Sequence, residues 1–274
     1  MADLKPTAGG SAPDLSPRRR LKRFLFDRYF RWEVDALLAP PEGVLEHSFA
    51  YDDSQFRIAH SIPGWLDPRN VRLFDYCIQH LPSGAPIVEI GSYCGLSLNM
   101  LIQLARKHRV SNTVISVDPW TFGIPEEMTR STGLATPAYR AYLVESFRRS
   151  VELFSRDRLP YHIELDSDQF FERWASGAEL VDFFGRAAKL GGPISFAYID
   201  GDHSYEQSRR DFANVDRFLE PGGFVVFDDS ADRSHTRTGK IWGSTQTAQE
   251  AAALPNYRVI DKSHHYCIQK LPAG

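Results

Sequence analysis

Cysteine is scarce in this sequence, with three residues in 274, Cys77, Cys94 and Cys267. An odd, widely spaced set excludes a disulfide framework and the paired spacing of a zinc site, and suits reduced core thiols in a cytosolic protein. Long apolar runs are missing too. No stretch approaches the roughly 20 residues needed to span a bilayer. The opening MADLKPTAGGSAPDLSP lacks the apolar core of a secretory signal. The expectation is a cytoplasmic protein with no membrane partner. Charge of one sign is also absent in bulk: the formal net charge is -3 and the isoelectric point about 6.3. No broad basic field is available to hold nucleic acid, so a small-molecule partner is expected instead.

What is present is a hydrophobic content of 42%, enough for the core of one large α/β domain. Residues 1–17, rich in Pro, Gly, Ala and Ser, read as a disordered N-terminus. Residues 18–80 read as an N-terminal helical extension, opened by Ser16 as N-cap and Pro17 in the first turn. Seven Lys and Arg lie between residues 18 and 31. They read as the solvated face of an amphipathic helix whose role is open between a homo-oligomer interface and a cap over a substrate pocket. Residues 81–274 read as the catalytic domain.

Within that domain, strand-like PIVEIG, TVISVDPW, PYHIELD, ISFAYIDG and GGFVVFDDS are separated by helical stretches. One of these is read as a single helix through SDQFFERWASGAELVDFFGRAAKL. Strands without in/out alternation, each followed by a helix, predict a doubly wound, mostly parallel, Rossmann-like sheet covered on both faces. YRVIDK and HYCIQKL, two residues apart, predict an antiparallel C-terminal hairpin and bring the count to seven strands. In such sheets ligands bind beyond the carboxyl ends of the strands.

The first strand closes at Glu89-Ile90-Gly91 and the next helix opens near Gly95 to Ser97. Glycines there are expected to let backbone approach a ligand, and free N–H groups at the helix start favour an anionic group. The pattern is G-S-Y-C-G, not the G-x-G-x-x-G of a dinucleotide site. The second strand ends in Asp118, placed to accept hydrogen bonds from ribose hydroxyls, with a turn or cap as the alternative. Asp166 and Ser167 close the third strand as candidates for a purine amino group or for a helix cap. Asp200, Asp228 and Asp229 close the fourth and fifth. Three carboxylates in one cleft would repel, so a hard divalent cation such as Mg²⁺ is the expected counter-charge. The alternative is neutralisation by Arg233 or Lys240.

EIGSYCGLS resembles the first motif of class I S-adenosylmethionine methyltransferases. It is closely similar to catechol O-methyltransferase, which has Glu, Gly, Tyr-Cys-Gly and Ser at the same spacing. Together with IPGWLDP, YIDGDHSYEQSRRDF and LEPGGFVVFDD it also resembles bacterial small-molecule methyltransferases related to the macrocin-type sugar enzymes. The likeness covers roughly residues 60–271. It implies that Gly91, Ser92 and Tyr93 hold the methionine part of S-adenosylmethionine and Ser97 its carboxylate, with Glu89 and Gly95 in the same turn. It places Asp118 on the ribose, and Asp200, Asp228 and Asp229 on the metal. His203 stands where the catechol-type enzymes carry a lysine base, and Asp229 where they carry asparagine. Both departures lean towards the sugar enzymes and leave the base open between His203 and Asp200.

The implied reaction is methyl transfer from a sulfonium to a hydroxyl of a sugar-containing or phenolic small molecule. A divalent ion would lower the acceptor's pKa and His203 would take its proton. Competing readings are a metal-independent methyltransferase, a nucleic-acid methyltransferase, which IDGDH in place of an Asn-Pro-Pro-Tyr-like motif disfavours, and a non-catalytic scaffold. Residues 120–142 are expected to form an acceptor lid because they exceed an ordinary connection. ADRSHTRTGK, residues 231–240, is expected as a loop that closes over an anionic acceptor or lies in solvent. His264, His265 and Cys267 are set aside as hairpin residues on alternating faces.

Overall fold

Five strands, each apolar on both faces, can be covered only between two helical layers, and that is their arrangement in the computed structural model. It describes residues 47, 49–121, 135–230 and 241–272. The central sheet takes β1 (Ile87–Ile90), β2 (Val114–Val117), β3 (Tyr161–Ile163), β6 (Ile194–Ile199), β7 (Leu219–Phe227), β8 (Tyr257–Asp261) and β9 (Cys267–Lys270). Their order is β3-β2-β1-β6-β7-β9-β8, with β1, β2, β3, β6 and β7 paired in parallel and β8 and β9 antiparallel. The chain winds outward from β1 in both directions. The crevice between β1 and β6 is therefore the topological switch point, where helices leave on opposite faces and ligands enter. Register pairs Ile90 with Ile199 and Ile199 with Phe227, so Gly91, Asp200 and Asp228 leave the sheet at one level.

Helix positions follow local signals. Asp52 caps α1 (Asp53–Ser61) in a reciprocal capping box with Gln55, and Asp67 caps α2 (Pro68–Gln79) with Pro68 in its first turn. Along α2, Val71, Phe74, Cys77 and Ile78 are completely buried, and the Phe74 ring lies 6.0 Å from Phe196 of β6. α3 (Leu96–Lys107) and α4 (Thr136–Phe154) complete that layer, with Leu98, Leu101 and Phe147 in the same core. α5 (Ser167–Ala175), α6 (Tyr205–Asp216) and α7 (Gly243–Ala252) cover the other face through Phe170, Trp174, Val215 and Ala248. The stretch Glu42–Gly274 is one compact unit that includes α1 and α2.

The single helix expected through residues 167–190 is two elements. α5 stops at Ala175, and the chain turns through Gly177 at φ +66° into a hairpin of β4 (Glu179–Val181) and β5 (Ala187–Lys189). Gly177 and Gly185 (φ +79°) adopt conformations that a helix does not use. The C-terminal hairpin is antiparallel as expected, but five residues rather than two separate its strands, and its register slips between Val259 and Asp261. No helix among the described residues is long and apolar enough to cross a membrane. Residues 1–17, the basic helix after them, most of the expected lid and the loop 231–240 lie outside the described residues.

Candidate active site

The turn after β1 is held from below by β2. Asp118 accepts the N–H of Ser92 at 2.9 Å and of Tyr93 at 3.0 Å on Oδ2, and that of Trp120 at 2.8 Å on Oδ1. Burial raises the Asp118 carboxyl above its usual range, and the three N–H groups oppose that rise. Asp118 thus ties the Gly91–Tyr93 turn to the end of β2, with three of its acceptor sites spent on backbone.

The protein's own packing also requires the two glycines of the motif. A Cβ on Gly91, at φ +87°, would sit 2.1 Å from the carbonyl oxygen of Asp200; one on Gly95, at φ +85°, would meet Ser150 Oγ at 3.0 Å. Between them Tyr93 takes φ +45°, and its hydroxyl lies 2.9 Å from that of Tyr139. Trp65, 73% exposed, lies over the Tyr93 ring at 5.2 Å. Glu89 is fully buried beneath the turn. Desolvation pushes its carboxyl up to about 8, partly opposed by the Ser97 and Ser92 hydroxyls, and neither oxygen has a partner at hydrogen-bond geometry.

On the side of β3, Asp166 caps α5 by accepting the N–H of Gln169 at 2.8 Å. Ser167 donates to Asp211 Oδ1, to which Gln207 Nε2 also donates at 2.9 Å. Burial lifts the Asp211 carboxyl to about 6, and its Oδ2 has no hydrogen-bond partner.

At the ends of β6 and β7 the chain brings Asp200, His203 and Asp228 together, with one ligand-capable atom from each within 4.8 Å of the others. Asp229 turns through φ +42°, and its Oδ2 lies 3.8 Å from His203 Nε2; Asp200 Oδ1 lies 3.9 Å from the same nitrogen. A carboxylate oxygen of Asp200 and one of Asp228 lie within 4.8 Å of each other. Desolvation and the neighbouring Asp228 raise Asp200 well above the carboxylate range. Trp242, the residue before α7, places its ring 5.8 Å from that of His203.

All the sequence-predicted site residues except Glu89 and Gly95 line one cleft of about 1450 Å³ over the β1/β6 switch point. Among the described residues no Lys or Arg lines it. An oxygen-ligated divalent cation fits the donor set that Asp200 and Asp228 present there; Arg233 and Lys240, the alternative counter-charges, lie outside the described residues. Several residues of the site had no sequence signal. Asn70 Nδ2 donates to Asp228 Oδ1 and, at 3.3 Å, contacts the Tyr198 hydroxyl, which donates to Asp200 Oδ2 at 3.2 Å. His265, set aside with His264, is buried with Nδ1 3.7 Å from Asp228 Oδ1 and Nε2 3.4 Å from Asp67 Oδ2. Burial opposes charge on His265, but the Asp67 contact and the Asp228 charge outweigh it and raise its pKa. An i, i+3 or i, i+4 pattern finds neighbours on one helix; these partners come from α2, β6, β7 and the C-terminal hairpin.

A family model described as a methyltransferase domain matches residues 88–230. An uncharacterized protein of Acanthamoeba polyphaga mimivirus is 23% identical over 145 residues, 53% of this chain and 51% of that one. The chain thus spans about half the length of the curated relative it matches. Among solved structures, the O-methyltransferase TomG from Streptomyces achromogenes, involved in tomaymycin synthesis and bound to SAM, is 14% identical at a TM-score of 0.52. The match covers 89% of this chain and 98% of that one. The SAH-bound methyltransferase PaMTH1 from Podospora anserina is 10% identical at a TM-score of 0.53, covering 96% and 100%. At these identities the likeness establishes the fold.

Proposed function

The chain belongs to the methyltransferase-domain family, and from that premise we propose that it is an S-adenosylmethionine-dependent O-methyltransferase. Its acceptor in this reading is a hydroxyl of a small molecule, sugar-containing or phenolic, and a divalent cation, Mg²⁺ first, assists it. One observation supports the reading above the rest: the Gly91–Ser97 turn and the Asp200–His203–Asp228 cluster open into a single cleft, with Asp200 following the strand that packs on Gly91. In this reading cofactor and cation lie side by side.

In this reading Ser92, Tyr93 and Ser97 hold the methionine end of the cofactor, and the ribose lies over Asp118. Asp166 and Ser167 flank the adenine. Asp200 and Asp228 hold the cation, with Asp229 completing the protein ligands and His203 left unligated. When bound, the cation supplies a Lewis acid that lowers the pKa of the acceptor hydroxyl. His203, at the mouth of the cluster, takes the hydroxyl proton, Asp200 being the other candidate. The acceptor oxygen forms a bond to the methyl carbon as the sulfur–methyl bond breaks, leaving S-adenosylhomocysteine. Charge is lost from both partners in that step, so a dry pocket would favour it, and Trp65, Leu66, Ile241 and Trp242 are apolar residues lining the cleft. Trp65 and Trp242 also give a ring-bearing acceptor flat surfaces to lie against.

The test is methyl transfer from labelled S-adenosylmethionine to a panel of phenols, glycosides and tRNA, with and without chelator, alongside calorimetry with S-adenosylhomocysteine. Transfer to hydroxylated small molecules that stops in chelator and in Asp228→Ala, with cofactor binding retained, supports the reading. Full turnover in chelator would remove the cation from it, transfer to tRNA alone would replace the substrate class, and absence of cofactor binding would sink it entirely.

A further inference from the structure

Strand register brings the Cα atoms of Asp200 and Asp228 level, but it does not decide where two like-charged side chains point. Each side chain has several staggered rotamers open to it, so register alone does not hold the two carboxyl groups at a fixed separation. We propose that Asn70 and Tyr198 are positioning residues that jointly fix the separation of the Asp200 and Asp228 carboxylates and so set the affinity of that pair for a divalent cation. The inference rests on the cation reading above.

The contacts form a bracket beneath the pair. Asn70 Nδ2 donates to Asp228 Oδ1 and touches the Tyr198 hydroxyl at 3.3 Å, and that hydroxyl donates to Asp200 Oδ2 at 3.2 Å. Each carboxylate has one oxygen held by the bracket, Asp228 Oδ1 and Asp200 Oδ2, so Asp228 Oδ2 and Asp200 Oδ1 lie outside it. Both supporting residues are completely buried, so water does not compete for their donors. Both are also neutral. They orient the carboxylates without cancelling the charge that attracts a cation, whereas a lysine or arginine in either place would do both.

Asn70 is an unusual residue for its place. It sits in the first turn of α2 beside the fully buried Val71 and Phe74, where an apolar side chain would be expected, and asparagine is a poor helix former. Its Oδ1 is buried with no hydrogen-bond partner, so the residue bears the desolvation cost of its acceptor end while only its donor end is used. Packing does not account for that choice; a requirement for a neutral donor facing Asp228 does.

The experiment is a Mn²⁺ titration of the full chain by calorimetry and electron paramagnetic resonance, on wild type, Tyr198→Phe and Asn70→Leu. S-Adenosylhomocysteine affinity without metal and the melting temperature are measured on the same samples. Each variant is expected to bind Mn²⁺ roughly ten- to a hundredfold more weakly, with an altered resonance spectrum and unchanged S-adenosylhomocysteine affinity. The double variant is expected to lose less than the product of the single losses, because the two residues act through one network. Should Asn70→Leu fail to fold, Tyr198→Phe, which removes one oxygen atom, carries the test. Wild-type Mn²⁺ affinity in the folded variants would overturn the bracket and leave the cation reading standing. Cation and cofactor affinity falling together would make the residues general scaffold and also overturn it. No Mn²⁺ binding by the wild type would overturn both.

Discussion

The carbonyl oxygen of Asp200 occupies the space where a side chain on Gly91 would begin, 2.1 Å from the position of an ideal Cβ. Gly91 also holds φ +87°, a region that L-residues avoid. Gly91→Ala therefore meets a backbone clash and an unfavourable dihedral together, and the obstacle is main chain that cannot swing away. The expected cost is about 3 kcal/mol or more. Urea unfolding would show it, and a variant as stable as wild type would contradict the packing described at the switch point.

Glu89 is expected to make stability depend on pH. Its carboxyl rises from 4.5 to about 8 in the fold because burial disfavours the charged form. Between those two values the native state keeps a proton that the unfolded chain has lost, so stability falls as pH rises through that window and levels off above it. Glu89→Gln removes this dependence, and its gain should be greatest above about pH 8 and vanish towards pH 4. Urea unfolding of the cofactor-free protein across that range measures it. Parallel curves for the two proteins would show that the buried carboxyl ionises without penalty.

His162 works in the opposite direction. Its ring lies 4.4 Å from that of Trp120 and 4.5 Å from that of Phe147, and burial lowers its pKa from 6.5 to about 3. Below 6.5 the unfolded chain binds a proton that the native state refuses, so stability is lost as pH falls towards 3. His162→Phe leaves Ser116 without its 2.8 Å hydrogen bond and is expected to be less stable at neutral pH. Its acid slope should nevertheless be shallower, and an unchanged slope would exclude His162 as a source of acid lability.

For the proposed base, His203→Ala is expected to lower kcat by roughly 10²–10⁴-fold while S-adenosylhomocysteine affinity stays as in wild type. Single-turnover kinetics on an acceptor found by the panel would read it. A kcat within experimental error of wild type would pass the role to Asp200.

Much of the fold was legible because its signals are local. Unbroken apolar strands separated by helices announced a parallel sheet, and the last two closely spaced strands an antiparallel hairpin. The stretch 167–190 misled because Phe170, Phe171 and Trp174 keep a helical apolar stripe up to the point where Gly177 reverses the chain, and later apolar residues continue a rhythm that no longer describes a helix. The glycines of the turn were marked for close approach of backbone to a ligand, and packing supplies a separate reason that the spacing did not show. Spacing shows that a side chain is unwelcome at Gly91, but not that the Asp200 carbonyl is what excludes it.

By itself the sequence determined which residue types close each strand, since a strand followed by a helix must end at the rim of the sheet whatever its neighbours do. That was enough to mark Asp118, Asp200, Asp228 and Asp229. The tertiary structure decided how those carboxylates are used: Asp118 turned on to backbone N–H groups, and Asp200 and Asp228 drawn together over Asn70 and Tyr198. Asn70 lies 158 residues from Asp228 along the chain. A hydrogen bond between residues so far apart depends on strand order, register and helix docking together, and none of these is carried by the residues on either side of the pair.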